Sequence, residues 1–300
     1  MLIFDFLAAN PALFVALTVV LGLLVGSFLN VVIYRLPVML QRDWRAQCHE
    51  FLEIEADKNE TDAQLAPQFA TFNLASPDSH CPHCQHRIRP WENIPVLSYL
   101  ALRGKCSQCK AKIAVRYPAV ELVSGLLAGL VAYQFGASWL TLALLILAWS
   151  LLVLTLIDFD HQLLPDDITL PLIWLGLLVN ALDLGFGVSL NDAVVGAITG
   201  YLVLWAFYWL FKLLTGKEGM GYGDFKLLAA LGAWMGWQSL LPIIILSSAV
   251  GAVFGIAMIM VTGRDRSIPM PFGPFLAGAG LLMLLWGPRI NAFYFNTFVG

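Results

Sequence analysis

Four cysteines fall into two pairs, Cys81-x2-Cys84 and Cys106-x2-Cys109, with 21 residues between the pairs. Two such pairs at this separation are the usual sequence form of a tetrahedral thiolate zinc site, each pair supplying two sulfurs from one tight turn. Small or polar neighbours (Gly104, Ser107, Gln108) permit that turn. The other chemistry open to the quartet is two disulfides, which a reducing compartment disfavours. His80, His83 and His86 flank the first pair. Four sulfurs already close a tetrahedron, so the histidines are expected to be bystanders, and the metal to fold its segment and not to do chemistry. The fifth cysteine, Cys48, is expected to be a lone structural thiol.

The second set is acidic. Asp158, Asp160, Asp166 and Asp167 lie within ten residues of each other, and Asp224 ends the stretch Gly219-Met220-Gly221-Tyr222-Gly223-Asp224. Two carboxylates sharing a site cannot both ionise cheaply. One then stays protonated while the other acts as base on a water, which is aspartic-protease chemistry. Asp224 precedes an apolar run, where a helix dipole favours the anion; Asp158 follows one, where it favours the neutral acid. The glycines before Asp224 free the backbone to bend and let a peptide strand approach. The same acids also suit a proton relay in a transporter. Asp166 and Asp167 follow Pro165 and read as a helix start, and Asp183 and Asp192 as a polar membrane boundary.

What must position these groups is set by composition. The chain has 300 residues, 59 % apolar and only 12 % charged, with a mean hydropathy of +0.76. A soluble domain is nearer half apolar and a quarter charged. This excludes a soluble enzyme and a disordered chain. Twenty acids against 17 bases give a net charge of −3, which excludes a basic nucleic-acid binder. The expected class is an all-α polytopic membrane protein. The uncharged runs predict about eight transmembrane helices, over 11–33, 118–135, 138–157, 168–187, 193–214, 225–237, 240–261 and 271–288, the sixth short enough to be tilted or partial. The runs lack the alternation of an outer-membrane strand.

The first run has no Lys or Arg before it and is too long for a signal-peptide core, so it reads as a retained helix with its N-terminus outside. Eleven of the 17 bases lie between Arg35 and Arg116. Placing that loop in the cytoplasm puts 16 of the 17 on one side if eight spans alternate. Residues 38–117 then form a cytoplasmic zinc-binding insert between helices 1 and 2, after a first helix in 1–37 and before a membrane-embedded part in 118–300. The acidic stretch Glu50 to Asp62 reads as a solvated helix or loop. No internal repeat is evident. Asp158 and Asp224 would both stand at the cytoplasmic ends of their helices, far apart in sequence but able to meet.

Five blocks, in order, resemble the bacterial type IV prepilin peptidases. They are Gly26-Ser27-Phe28-Leu29-Asn30-Val31-Val32-Ile33-Tyr34-Arg35-Leu36-Pro37, the two Cys pairs, Arg116-Tyr117-Pro118-Ala119-Val120-Glu121, the segment Asp158 to Pro165, and Gly221-x-Gly223-Asp224 followed by Lys226. The last is the GxGD signature shared with presenilin-like membrane proteases, and the resemblance covers nearly the whole chain. It implies a bifunctional enzyme that cuts the basic leader of prepilins and type II secretion pseudopilins after a Gly at the cytoplasmic face of the inner membrane. The enzyme then methylates the new N-terminus with S-adenosylmethionine. It implies Asp158 and Asp224 as the catalytic pair, with Asp160, Gly221, Gly223 and Lys226 in support, and a zinc-bearing insert associated with methyl transfer. No GxGxxG fingerprint marks a cofactor site; Gly104 and Glu121 are candidates, Glu121 through a grip on an amine. Gly22 and Gly26 have GxxxG spacing and read as helix packing. The expected partners are pilin-type substrates and membrane lipid, with no nucleic acid. The rival readings are a presenilin-like general intramembrane protease and a proton-coupled transporter.

Overall fold

The computed structural model describes residues 2–52, 72–184, 186–262 and 270–298. Most of the predicted acidic stretch from Glu50 to Asp62 lies outside them. The described residues are helical nearly throughout: α1 (Leu2–Ala9), α2 (Pro11–Phe51), α3 (Leu97–Ala101), α4 (Arg116–Phe135), α5 (Trp139–His161), α6 (Asp166–Ala181), α7 (Leu190–Thr215), α8 (Tyr222–Met235), α9 (Leu240–Thr262) and α10 (Gly273–Phe298). The only extended pairings among them are two isolated bridges, His80 with Arg87 and Lys105 with Lys112.

Each expected span has its helix, but six helices are long and apolar enough to cross a membrane. The other two are α6, with 16 residues, and α8, with 14. At about 1.5 Å per residue they reach only ~24 and ~21 Å, short of a ~30 Å hydrocarbon layer. Their brevity has a reason in packing. From Asp224 to Met235 every residue of α8 except Lys226 is buried. It is a core helix, packed by α6, α7 and α10, and lipid meets its neighbours instead. Val253, Ile256, Ile259 and Val261 of α9 are exposed, as lipid-facing residues are.

The chain divides into two compact units, residues 16–129 and residues 1–15 with 130–300. In the larger unit, α7 lies against α8 through glycine. A Cβ on Gly196 would collide with the carbonyl of Gly232, and one on Gly232 with that of Gly196. A Cβ on Gly200 would come within 2.7 Å of the Leu228 carbonyl. Gly196-x3-Gly200 is thus a close-approach motif of the kind that membrane helices use. On the opposite side, Gly176 of α6 makes room for the Trp234 indole, whose Nε1–H donates to the Leu172 carbonyl at 2.9 Å. Asn180 donates to the carbonyls of Ala233 and Trp234. These bonds satisfy polar groups that lipid would leave orphaned.

In the smaller unit, α2 and α4 meet at Gly22, Gly26, Gly125 and Gly129. A Cβ on Gly22 would lie 2.6 Å from Ala128 Cβ, so the GxxxG pair does serve helix packing. The α2 helix has 41 residues, about 60 Å at ~1.5 Å per residue, twice what a bilayer needs. It therefore runs unbroken through Pro37 into the polar segment, and the sequence-level division at 37/38 falls inside a helix. Beyond the apolar run, Arg35 is buried, with its guanidinium donating to the carbonyls of Asn73 (2.9 Å) and Pro77 (2.6 Å). That ties the helix to the start of the cysteine-bearing segment.

Candidate active site and metal centre

The two cysteine turns are built alike. The Cys81 N–H donates to the His86 carbonyl, Gln85 N–H to Cys81, and Ile88 N–H to Ser79. Twenty-five residues on, Cys106 donates to Ala111, Lys110 to Cys106, and Ile113 to Gly104. Gln85 and Lys110 both take positive φ, 59° and 60°. This repeated turn is faint in the sequence: besides the cysteines, only Ile88 with Ile113 and the basic Arg87 with Lys112 recur at the same offset, and the backbone bonds that define it leave no further side-chain signature.

The turns bring the four sulfurs within 4.8 Å of one another. Cys81 and Cys109 Sγ stand 3.8 Å apart, and Cys84 and Cys106 Sγ 3.9 Å. A tetrahedron with ~2.3 Å zinc–sulfur bonds has edges of about 3.8 Å, so the quartet fits a four-thiolate metal centre. All five cysteines are free thiols, Cys48 among them, exposed. The disulfide alternative is therefore not adopted.

Of the flanking histidines, His86 has a specific task. Its Nε2 lies 3.1 Å from Glu92 Oε2, which also accepts the Arg89 N–H at 2.9 Å. The Ser107 hydroxyl, between the second pair of cysteines, donates to the same carboxyl. Those donors hold the Glu92 carboxyl down at about 2, the Arg89 amide contributing most. Glu92 thus fastens the first turn to the second, a role the sequence did not suggest. Groups that orient metal ligands are worth about 10- to 100-fold in affinity. Glu92→Ala is expected to lose metal to a competing chelator about tenfold more readily than the parent, read by metal-indicator titration. Gly104, with φ 67°, sits where a Cβ would come within 2.8 Å of the Tyr99 hydroxyl; its backbone and that packing account for the glycine.

The two acids of the larger unit meet. Asp158 lies one turn before the end of α5, where Gln162 closes the helix with its N–H on the Asp158 carbonyl. Asp224 lies in the first turn of α8, and its Oδ2 accepts the Gly221 N–H at 3.2 Å. Both are 5 % exposed, and their carboxyls are near enough to act on each other electrostatically. Asp158 Oδ2 and Asp224 Oδ1 are buried with no hydrogen-bond partner among the described residues. A pair of close, buried carboxyls, each with one uncommitted oxygen, is an arrangement able to share a proton and hold a water between them.

Glycine lets the surrounding elements close on the pair. A Cβ on Gly273, which opens α10, would come within 2.6 Å of Asp158 Oδ2. A Cβ on Gly223 would come within 2.6 Å of Leu164 Cβ, and the Leu164 methyls also lie against Gly273. Leu164, from the α5–α6 connection, therefore wedges between the starts of α8 and α10. Gly273 and Leu164 were not singled out in the sequence.

Of the other predicted site residues, Gly221 caps α8 and Asp160 is on the exposed side of α5. Lys226 Nζ reaches both oxygens of Asp166 at 2.7 Å. Asp166 is more than a helix start: it fixes the head of α6 to the head of α8. Lys226→Met is expected to lower turnover about tenfold by loosening that junction, since small misplacements of catalytic groups are costly. The swapped pair Lys226→Asp with Asp166→Lys should recover part of it in the same peptide-cleavage assay.

Profiles of known families match both parts of the chain. The one described as the bacterial peptidase A24 N-terminal domain covers residues 20–135. The one described as the type IV leader peptidase family covers residues 145–256. A curated protein of Stutzerimonas stutzeri named prepilin leader peptidase/N-methyltransferase is 60 % identical over 97 % of this chain and 96 % of its own. Proteins of the same name from Pseudomonas aeruginosa and Neisseria gonorrhoeae are 56 % and 53 % identical, over 97 % and 90 % of this chain and 96 % and 89 % of theirs. No solved structure matches.

Proposed function

The chain belongs to the type IV leader peptidase family, and from that premise we propose the residues that carry its two activities. It is a multi-pass membrane enzyme, a prepilin leader peptidase and N-methyltransferase, with S-adenosylmethionine as methyl donor. Asp158 and Asp224 are the peptidase pair. Asp224, whose carboxylate accepts an N–H at a helix N-terminus, takes the proton of the attacking water. Asp158 in neutral form polarises the scissile carbonyl and then returns a proton to the leaving amine. Gly221, Gly223 and Lys226 hold Asp224 in place. Asp160, on the exposed side of α5, draws in the basic leader and takes no part in the chemistry. The single observation behind this reading is the pair of buried, mutually interacting carboxyls with an uncommitted oxygen on each.

Cys81, Cys84, Cys106 and Cys109 hold one zinc ion. A closed set of four thiolates leaves no open position, so the metal folds the segment that bears them within residues 38–117, which is associated with methyl transfer, while the acid pair of the peptidase lies in residues 118–300. The cut falls after a Gly, in prepilins and type II secretion pseudopilins. The site and the insert face the cytoplasm of the inner membrane, with the N-terminus outside; what supports that placement is the eleven of 17 bases gathered between Arg35 and Arg116, on one side of the first helix.

Purified protein in detergent, given a prepilin-like peptide with its leader, should release the leader after the Gly. With S-adenosylmethionine added, the product should gain the mass of one methyl group on its new N-terminus. A peptide left whole would refute the peptidase assignment, and a cleaved peptide with no mass gain the methyl-transfer assignment.

A further inference from the structure

One buried acid takes no part in the peptidase site. Glu121, in the second turn of α4, is 8 % exposed. A Cβ on Gly26 of α2 would lie 2.7 Å from Glu121 Cα, so only glycine there lets the two helices close around the carboxyl. Its Oε2 accepts the Val96 N–H at 2.8 Å, and the Ser27 hydroxyl stands within hydrogen-bonding reach of the same carboxyl. Ser27 Oγ is also 3.4 Å from Asn93 Oδ1. Asn30, one turn further along α2, donates to the Tyr117 carbonyl at 3.1 Å and pins the head of α4.

Val96 holds φ at 59°, a positive value that a β-branched residue adopts only when its surroundings force it. Here it turns the Val96 N–H onto the carboxylate. The protein thus strains its backbone to meet Glu121 with a neutral donor. Among the described residues no Lys, Arg or His forms an ion pair with Glu121, whereas Asp166, Glu218 and Glu92 each have a basic partner. A buried carboxylate accepts up to about four hydrogen bonds, and neutral donors alone leave a charge there uncompensated.

We infer that Glu121, framed by Ser27, Asn93 and Val96, is the subsite for a compact organic cation in methyl transfer. The inference rests on the methyltransferase reading above. Both reactants of that step carry such a cation: the ammonium of the freshly cut N-terminus and the methylsulfonium of the donor. Either would complete the charge that the fold leaves open.

The test is Glu121→Gln, whose side-chain carbonyl still accepts the Val96 N–H but carries no charge. Leader cleavage and metal content should match the parent. Methyl transfer should fall about ten- to a hundredfold, the effect of losing a hydrogen bond to a charged group. The rise in KM assigns the cation: KM for S-adenosylmethionine rises if Glu121 holds the sulfonium, and KM for a pre-cut peptide if it holds the ammonium. Calorimetry on the unaltered protein gives a second reading that needs no variant. It compares S-adenosylhomocysteine, the neutral thioether, with an analogue bearing a protonated nitrogen in place of sulfur, and an N-acetylated pre-cut peptide with the free one. At least one cationic member should bind about tenfold more tightly. Equal binding within both pairs, or full methyl transfer by Glu121→Gln, overturns the inference. If the parent itself adds no methyl group, it is the methyltransferase reading that has failed.

Discussion

Asn in place of Asp224 or of Asp158 should abolish leader cleavage and leave the protein folded. General acid–base groups contribute about 10²–10⁴-fold each, and groups that act as a unit fail together. Either single change should therefore cost at least about 10³-fold, and the double change little more. The fold should persist because the amide introduced by Asp224→Asn retains an oxygen for the Gly221 N–H, which Asp224 accepts at 3.2 Å. Removing one of two close, buried carboxyls also relieves repulsion, so the thermal midpoint should hold or rise. Cleavage rate measured by mass spectrometry, beside a melting curve for each variant, decides the matter. Cleavage by both variants at the parent rate would remove the pair from the mechanism. A collapsed melting curve would mean that the carboxyls serve the fold. Methyl transfer to a pre-cut peptide should survive in both, since the groups proposed for it lie in residues 16–129.

Gly196→Ala or Gly232→Ala should do the opposite, destroying structure and activity together. Each new methyl group would meet the other helix's backbone carbonyl, and a backbone in a packed helix has nowhere to move. Overpacking ordinarily costs about 1–3 kcal/mol; here the upper end is expected, lowering the midpoint by roughly 5–10 °C. Cleavage should fall with it, because α8 carries Asp224 and α7 is the surface that α8 rests on. Gly278→Ala is the control. A Cβ there meets nothing within 4 Å, and alanine inside a helix is favoured over glycine by about 0.5–1 kcal/mol. If Gly196→Ala melts like Gly278→Ala, the close approach of α7 and α8 is wrong.

Much of this was legible in the chain itself. With so few charges, each acid near a span stands out, and the family resemblance singles out Asp158 and Asp224 among them. The CxxC pairs announced their sulfurs, since metal chemistry restricts both residue type and spacing. Gly22 and Gly26 were read as packing, and they pack. Harder to see were residues whose role depends on what lies opposite. Asp166 read as a helix start, yet it holds Lys226, 60 positions away. Glu92 carries no signal in the sequence, yet it joins two metal turns. Gly196, Gly232 and Gly273 were three among 25 glycines.

The sequence alone determined that the chain lies in a membrane, that it is helical, where its apolar spans fall and which four sulfurs gather. Those are properties of residue type and local spacing: transfer free energy, helical period and ligand preference are carried by each segment on its own. Only the tertiary structure decided that α8 is a buried core helix and not a lipid-facing span, and that Leu164 and Gly273 close on the acid pair. It alone showed that Glu121 is a buried carboxyl met, among the described residues, by neutral donors. Each of these depends on the distance between groups remote in sequence, and that distance is set by packing.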